Sequence, residues 1–207
     1  MKKKIAYQGR PGAYSHSVCI KVFPNYEPVP CESFEEVFKK TENKETEISL
    51  IPIENSQAGR VADIHNLLPM SNLVITGEYF HKVSHHLLGC PGSSLDSIKS
   101  AESHLHALAQ CKDFLSKNKI KPIISADTAG AAEEISKVKN NSRAAIASEL
   151  AAKIYNLTIL SSNIEDAIHN TTRFLIMKEN FEEVRMKDTD YITSFIFQVR
   201  NCLLYTS

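Results

Sequence analysis

Short apolar runs that alternate with amphipathic helical segments predict an α/β protein whose sheets are mostly parallel. Three observations carry the prediction. Ile5-Ala6-Tyr7 ends at Gly9, and a helical pattern comes soon after. Ile48-Ser49-Leu50-Ile51-Pro52-Ile53 is a short, nearly continuous apolar run of the kind a buried strand shows. The same succession returns later, where Ile123-Ile124 precedes a helical pattern over Thr128–Val138 and Ala144-Ala145-Ile146-Ala147 precedes another over Glu149–Tyr155.

Taken in order, Ile5–Tyr7 is the first strand, and the helix Tyr14–Phe23 is stopped by Pro24. Glu32-Ser33-Phe34 opens a second helix, with Phe34, Val37 and Phe38 at i, i+3 and i+4 on one face. The strand Ile48–Ile53 runs into a loop, Glu54-Asn55-Ser56. A short helix spans Ala62–Leu68, ahead of Pro69. Leu73-Val74-Ile75 begins a strand that runs on as Tyr79-Phe80, and Val83–Leu88 is another, closed by Cys90-Pro91-Gly92. Ile98–Ala101 is a short strand. His104–Leu115 reads as one helix, with Leu105, Leu108, Cys111 and Leu115 at helical spacing. Leu157–Leu160 and Arg173–Met177 are the last strands of this block. Beyond it, Lys178–Tyr191 is dense in charge, as linkers often are, and Thr193–Val199 reads as one lone strand, which cannot make a domain by itself.

Composition bounds the function. Of 207 residues 43% are hydrophobic and 23% charged, an ordinary globular balance that excludes collagen-like, disordered and disulfide-scaffold classes. Twenty-four Lys and Arg offset 24 Asp and Glu, so no general attraction to nucleic acid or to a membrane surface is expected. Five cysteines at irregular spacing, without C-x-x-C, read as reduced thiols. Met1-Lys2-Lys3-Lys4 imitates the start of a signal peptide, but no long apolar run comes after it, so a cytoplasmic location is expected.

Several segments have residue types suited to chemistry. Gly9-Arg10-Pro11-Gly12-Ala13-Tyr14-Ser15 joins a strand to a helix. It suits either an anion cradle of free helix-start N–H groups or a plain turn, and it matches neither G-x-G-x-x-G nor a P-loop. Asn55 lies past a strand end, where open α/β sheets place ligands, and an Asx turn is the other reading. Ser103 is a natural N-cap for the helix after it. Gln110, an amide in apolar surroundings, needs a partner in the backbone or a ligand. Arg173, entering a strand behind Thr171 and Thr172, suits a carboxylate clamp or an exposed strand start. His81 and His85 could share one strand face. No third metal ligand stands at the usual spacing, so histidines without a metal are the better reading.

In this order the segments resemble the prephenate dehydratase family. The pieces are Gly9–His16, Glu32-Ser33-Phe34, Pro52-Ile53-Glu54-Asn55-Ser56, Ser103-His104, Ala107-Leu108-Ala109-Gln110-Cys111 and Thr171-Thr172-Arg173-Phe174, between Ile5 and about Met177. The resemblance implies two α/β lobes with a cleft between them, similar to type II periplasmic binding proteins. One lobe would hold about residues 1–78 plus 170–178 and the other about 79–169, with crossings near Tyr79 and His169. It also implies a linker over 179–192 and, at 193–207, the start of an ACT regulatory domain. The implied reaction takes prephenate to phenylpyruvate, CO₂ and water in phenylalanine biosynthesis, with no metal or organic cofactor. Family roles fall on Thr172, Asn55, Ser103 and Gln110 as catalytic residues. Substrate contacts fall on Arg173, Phe174, Thr171, Gly12, Ala13, Tyr14 and Ser15. A homo-oligomer is expected.

Three departures stand against the family pattern. Leu105 and His106 replace a Pro-Gln pair, Arg10 comes after the first glycine where proline is usual, and after Asn201 the ACT pattern gives way to Cys202–Ser207. The last departure implies loss of regulation by phenylalanine. Arogenate dehydratase chemistry, a non-catalytic small-anion binding protein of the same fold and an inactive fragment are the other readings.

Overall fold

A computed structural model describes residues 2–167 and 169–180. The expected linker beyond Asn180 and the expected ACT start at 193–207 lie outside the described residues. Among the described residues the strands are β1 (Lys4–Gln8), β2 (Glu27–Cys31), β3 (Ile48–Asn55), β4 (Gly59–Arg60), β5 (Val74–Lys82), β6 (His86–Gly89), β7 (Ser100–Ser103), β8 (Lys121–Ile124), β9 (Arg143–Ala147), β10 (Thr158–Ser161) and β11 (Thr171–Lys178). The helices are α1 (Tyr14–Val22), α2 (Phe34–Glu42), α3 (Ala62–Leu67), α4 (Leu105–Gln110), α5 (Lys112–Lys117), α6 (Thr128–Val138) and α7 (Glu149–Ile154).

These elements build two sheets. The first runs β2-β1-β3-β11-β5, with β4 hairpinned onto β3; the second runs β10-β6-β9-β7-β8. The chain leaves the first sheet after Lys82, enters the second at His86, and returns after Ser161 to Thr171. Two α/β lobes result, the architecture that the sequence predicts.

Period-two alternation decides which helix covers which face. In the first lobe Ile5, Tyr7, Ile48, Leu50 and Phe174 meet Val18 and Cys19 of α1. Ala6, Ile51, Ile53, Leu175 and Met177 face the other way, onto Val37 and Phe38 of α2 and Ile64 of α3. In the second lobe Leu87, Ala144 and Ile146 pack on α4 and α5, whereas Leu88, Ala145 and Ala147 pack on the alanine-rich faces of α6 and α7.

Three expectations are corrected and one strand is added. The sheets are mixed rather than mostly parallel: β1 pairs parallel with β2 and β3, but β11 is antiparallel to both β3 and β5, and β6 is antiparallel to β9 and β10. The crossings bring β5 and β11 into the first sheet on opposite headings. The strand β2 escapes a sequence reading because Pro28 and Pro30 disguise it; it sits at an edge, where proline is tolerated. Asn55 ends β3 and is not in a loop. The helix expected over His104–Leu115 is two helices that meet at Cys111, whose φ of −120° breaks the run. There the Gln110 carbonyl accepts from the Asp166 N–H at 2.7 Å, and the Asp166 carboxylate accepts from the Asp113 N–H, capping α5.

Four helices end on a residue with left-handed backbone that is not glycine. Lys44 comes after α2, Lys119 after α5, Lys139 after α6 and Asn156 after α7, with φ between 51° and 62°.

Candidate active site

A cleft of about 1140 Å³ opens between the lobes. The first lobe supplies the β1–α1 loop from Gln8 to Ser15 together with Asn55, Ala58 and Thr172. The second supplies His104, His106, Ala107, Gln110, Asp127, Thr128 and Glu133, and His85 comes from the crossing segment.

Strand pairing places the central group. Asn55, the last residue of β3, lies opposite Thr172 of β11. The Asn55 Oδ1 accepts from the Gln57 and Ala58 N–H groups at 2.9 and 2.8 Å, an Asx turn that pins the amide. Its Nδ2 then donates to Thr172 Oγ1 at 2.9 Å and to Asn170 Oδ1 at 2.8 Å. The Asn170 Nδ2 donates onward to Gln110 Oε1 at 2.9 Å, which joins the first lobe to the end of α4. Asn170 is 1% exposed, so an unsatisfied amide there would be costly.

The β1–α1 loop carries the second feature. Gly9 and Gly12 have φ of +114° and +92°, which glycine adopts without strain. Ala13, at the α1 N-cap, offers no side-chain cap, so the N–H groups of the first turn at Tyr14, Ser15 and His16 lack helix partners at the cleft edge. The loop also grips the other lobe. The Ser148 hydroxyl donates to the Gly12 carbonyl at 2.6 Å, and the Tyr155 hydroxyl donates to that of Pro11 at 2.8 Å. Arg10 reaches Glu133 at 2.7 Å and Asp127 at 3.6 Å. Both partners belong to the second lobe, Glu133 on α6 and Asp127 at its N-cap. Arg10 is the only lysine or arginine among the described cleft residues.

The family model for prephenate dehydratase matches residues 5–182. The chain belongs to the prephenate dehydratase family. It is 40% identical, over 95% of its length and 70% of the relative's, to a bifunctional N-acyl-homoserine lactone acylase/prephenate dehydratase of Komagataeibacter europaeus. It is 41% identical to arogenate dehydratase/prephenate dehydratase 1 of Arabidopsis thaliana over 96% of its length, and it spans 50% of that chloroplastic relative. The crystal structure of the Staphylococcus aureus prephenate dehydratase superposes on 86% of the chain and 67% of its own, with a TM-score of 0.76 and 26% identity.

Not every residue that the family pattern points to reaches the cleft. Asn55, Gln110, Thr172, Ala13, Tyr14 and Ser15 line it. Arg173 does not. It faces the outer side of β11, where it binds Glu78 at 2.6 Å and Glu54 at 3.3 Å and lies over the Phe80 ring. Phe174 is 1% exposed in the core beneath α1. Ser103, fully buried at the end of β7, donates to the Ile146 carbonyl at 2.6 Å and holds two strands together; the cap of α4 is His104 instead. Thr171 donates its N–H to Ser56 Oγ and lies outside the cleft lining. Gly12 acts through its backbone: a Cβ there would sit 2.9 Å from Ala151 Cα, so it allows the lobes to touch. Arg10, His85, Asp127 and Glu133 of the cleft lining, and Asn170 buried behind it, are among the residues that sequence reasoning gave no part in the chemistry. Asn170 stands directly before the Thr171–Phe174 piece, and its position there was the one available signal.

Proposed function

We propose that this member of the prephenate dehydratase family decarboxylates and dehydrates prephenate to phenylpyruvate. One observation carries the reading: Asn55 donates into Thr172 Oγ1. A hydroxyl has one hydrogen and two lone pairs, so a threonine that accepts from Asn55 keeps its own hydrogen for the cleft. In the reaction the electron pair of the ring C–COO⁻ bond moves into the ring as CO₂ leaves. The ring C–OH bond breaks, and the departing hydroxide needs a proton to become water. Thr172 donates a hydrogen bond to that oxygen as charge develops, and the Asn55 N–H on Oγ1 spreads the charge that builds on the threonine. A threonine hydroxyl is too weak an acid to supply the net proton, which the bulk solvent provides as hydronium or buffer acid and ordered water relays. The free α1 amides and Ser15 suit one carboxylate of a dianion. The amino group of Gln110, whose oxygen is already occupied, suits another polar group of the substrate.

Arogenate is the second reading, because Glu32, Glu36, Asp127 and Glu133 also line the cleft and would favour an ammonium group at its rim. In the family chemistry the two substrates differ there, one carrying a ketone and the other an amine. Among the described residues no helix is long and apolar enough to cross a membrane. Four buried free thiols among the described residues suit a reducing compartment such as the cytoplasm, and assembly into a homo-oligomer belongs to the same proposal. The test is phenylpyruvate formation from prephenate, run beside phenylalanine formation from arogenate, for wild type and Thr172→Ala. Loss of one such hydrogen-bond donor is expected to lower kcat by about 10²–10³-fold. A folded wild type inert toward both substrates overturns the reading, and so does a fully active Thr172→Ala.

A further inference from the structure

The hydrogen-bond polarity set at Asn55 extends one step past Gln110. The Gln57 and Ala58 N–H groups fix Asn55 Oδ1 as an acceptor, because backbone hydrogens cannot relocate. The Asn55 Nδ2 therefore meets Asn170 Oδ1, the Asn170 Nδ2 meets Gln110, and the Gln110 atom at that contact is its oxygen. That oxygen lies 2.8 Å from His85 Nε2 as well. An imidazole nitrogen binds an amide oxygen only if it carries hydrogen. We propose that His85, held with hydrogen on Nε2, is a positioning residue for the reaction: it locks the Gln110 amide so that the Gln110 amino group is presented to the substrate.

The surroundings hold the ring in place. His85 is 3% exposed and lies where the chain crosses between lobes. Its Nδ1 is 2.7 Å from the Tyr14 hydroxyl on α1, which also lies 3.0 Å from the Ser84 carbonyl. With hydrogen on Nε2 the bare Nδ1 accepts, so the hydroxyl gives its one hydrogen to His85 at the shorter contact and not to Ser84. The His85 backbone N–H donates to the Glu165 carboxylate at 2.9 Å. The imidazole thus joins the start of α1 to the end of α4, and the His85 backbone ties in the segment that returns to β11. No other described side chain donates to Gln110 Oε1 except Asn170. A single donor leaves the amide free to rotate, and two fix it.

The inference rests on the dehydratase reading of the cleft and deepens it. Its test has an arm that needs no turnover. Nitrogen-15 NMR of the wild-type chain should show the His85 side chain protonated on Nε2. In the kinetic arm, His85→Phe keeps a ring without a donor, and His85→Gln restores an N–H near the same place. Misplacement of Gln110 is expected to lower kcat/KM by about 10–100-fold in His85→Phe, with recovery to within about 5-fold in His85→Gln. The double variant His85→Phe with Gln110→Ala should be no slower than Gln110→Ala alone, because the two act as one unit. A bare Nε2, a fully active His85→Phe or losses that add would each overturn the proposal. Should His85→Phe fail to fold, the spectrum of the wild type still decides. An Nε2-protonated His85 in an inert wild type upholds the positioning and fells only the dehydratase reading.

Discussion

Changing Asn55 to aspartate replaces one nitrogen with oxygen at the centre of the hydrogen-bond chain. The oxygen that accepts from Gln57 and Ala58 stays, but the N–H that reaches Thr172 becomes a second oxygen. Thr172 would then donate to Asp and no longer to the departing hydroxyl. Asn55→Asp is expected to lower kcat by about 10²-fold or more. The new oxygen also faces Asn170 Oδ1, which is buried and loses its donor, so the unfolding midpoint in urea should fall as well. Wild-type turnover would refute the assignment. Arg173 gives the opposite expectation. Strand neighbours point to opposite faces, so while Thr172 faces the cleft, Arg173 faces Glu54 and Glu78. Arg173→Ala should cost about 1 kcal/mol of stability, the usual worth of partly exposed ion pairs, and should leave KM within about 3-fold. A large rise in KM would return Arg173 to the substrate. Asn55, Gln110 and Thr172 were legible because each is a polar residue at the end of a recognisable element. Asn170 and His85 were not, since a hydrogen bond between chain segments so far apart leaves no spacing in the sequence.

Among the elements, helices were read best. The expected bounds of α6 match its observed bounds, because Asp127 caps its start and four buried residues fix its face. Strand direction was lost, since an apolar run looks the same whether its neighbour runs parallel or antiparallel. The break between α4 and α5 depends on Asp166, which lies far along the chain from Cys111. Contact between elements also yields a prediction. The β1–α1 loop touches α7 through Gly12, where φ is +92° and a Cβ would lie 2.9 Å from Ala151 Cα. Gly12→Ala combines backbone strain with a clash, at an expected cost of about 1–3 kcal/mol in denaturant unfolding. Because the same loop carries the free α1 amides, KM should rise with it. Unaltered stability and KM would show that the lobes separate at this contact without consequence.

For the whole molecule, five histidines set the response to acid. Burial is the main force that pushes His16, His81, His85, His86 and His104 below the usual value of 6.5. The native state then binds fewer protons than the unfolded chain. This contribution to stability is complete above pH 6.5 and is lost as pH falls through the lowered native values. The urea midpoint should accordingly be lower at about pH 5.5 than at about pH 7.5, and an equal or higher midpoint in acid would contradict the burial of these rings. The four left-handed helix ends bear on engineering. Lys44, Lys119, Lys139 and Asn156 occupy backbone that glycine adopts more readily, and none of them lines the cleft. Glycine at the three lysines would relieve a left-handed penalty of about 1–2 kcal/mol, partly offset by the freedom glycine gives the unfolded chain, so the chain has room to be made more heat-resistant without any change to its chemistry.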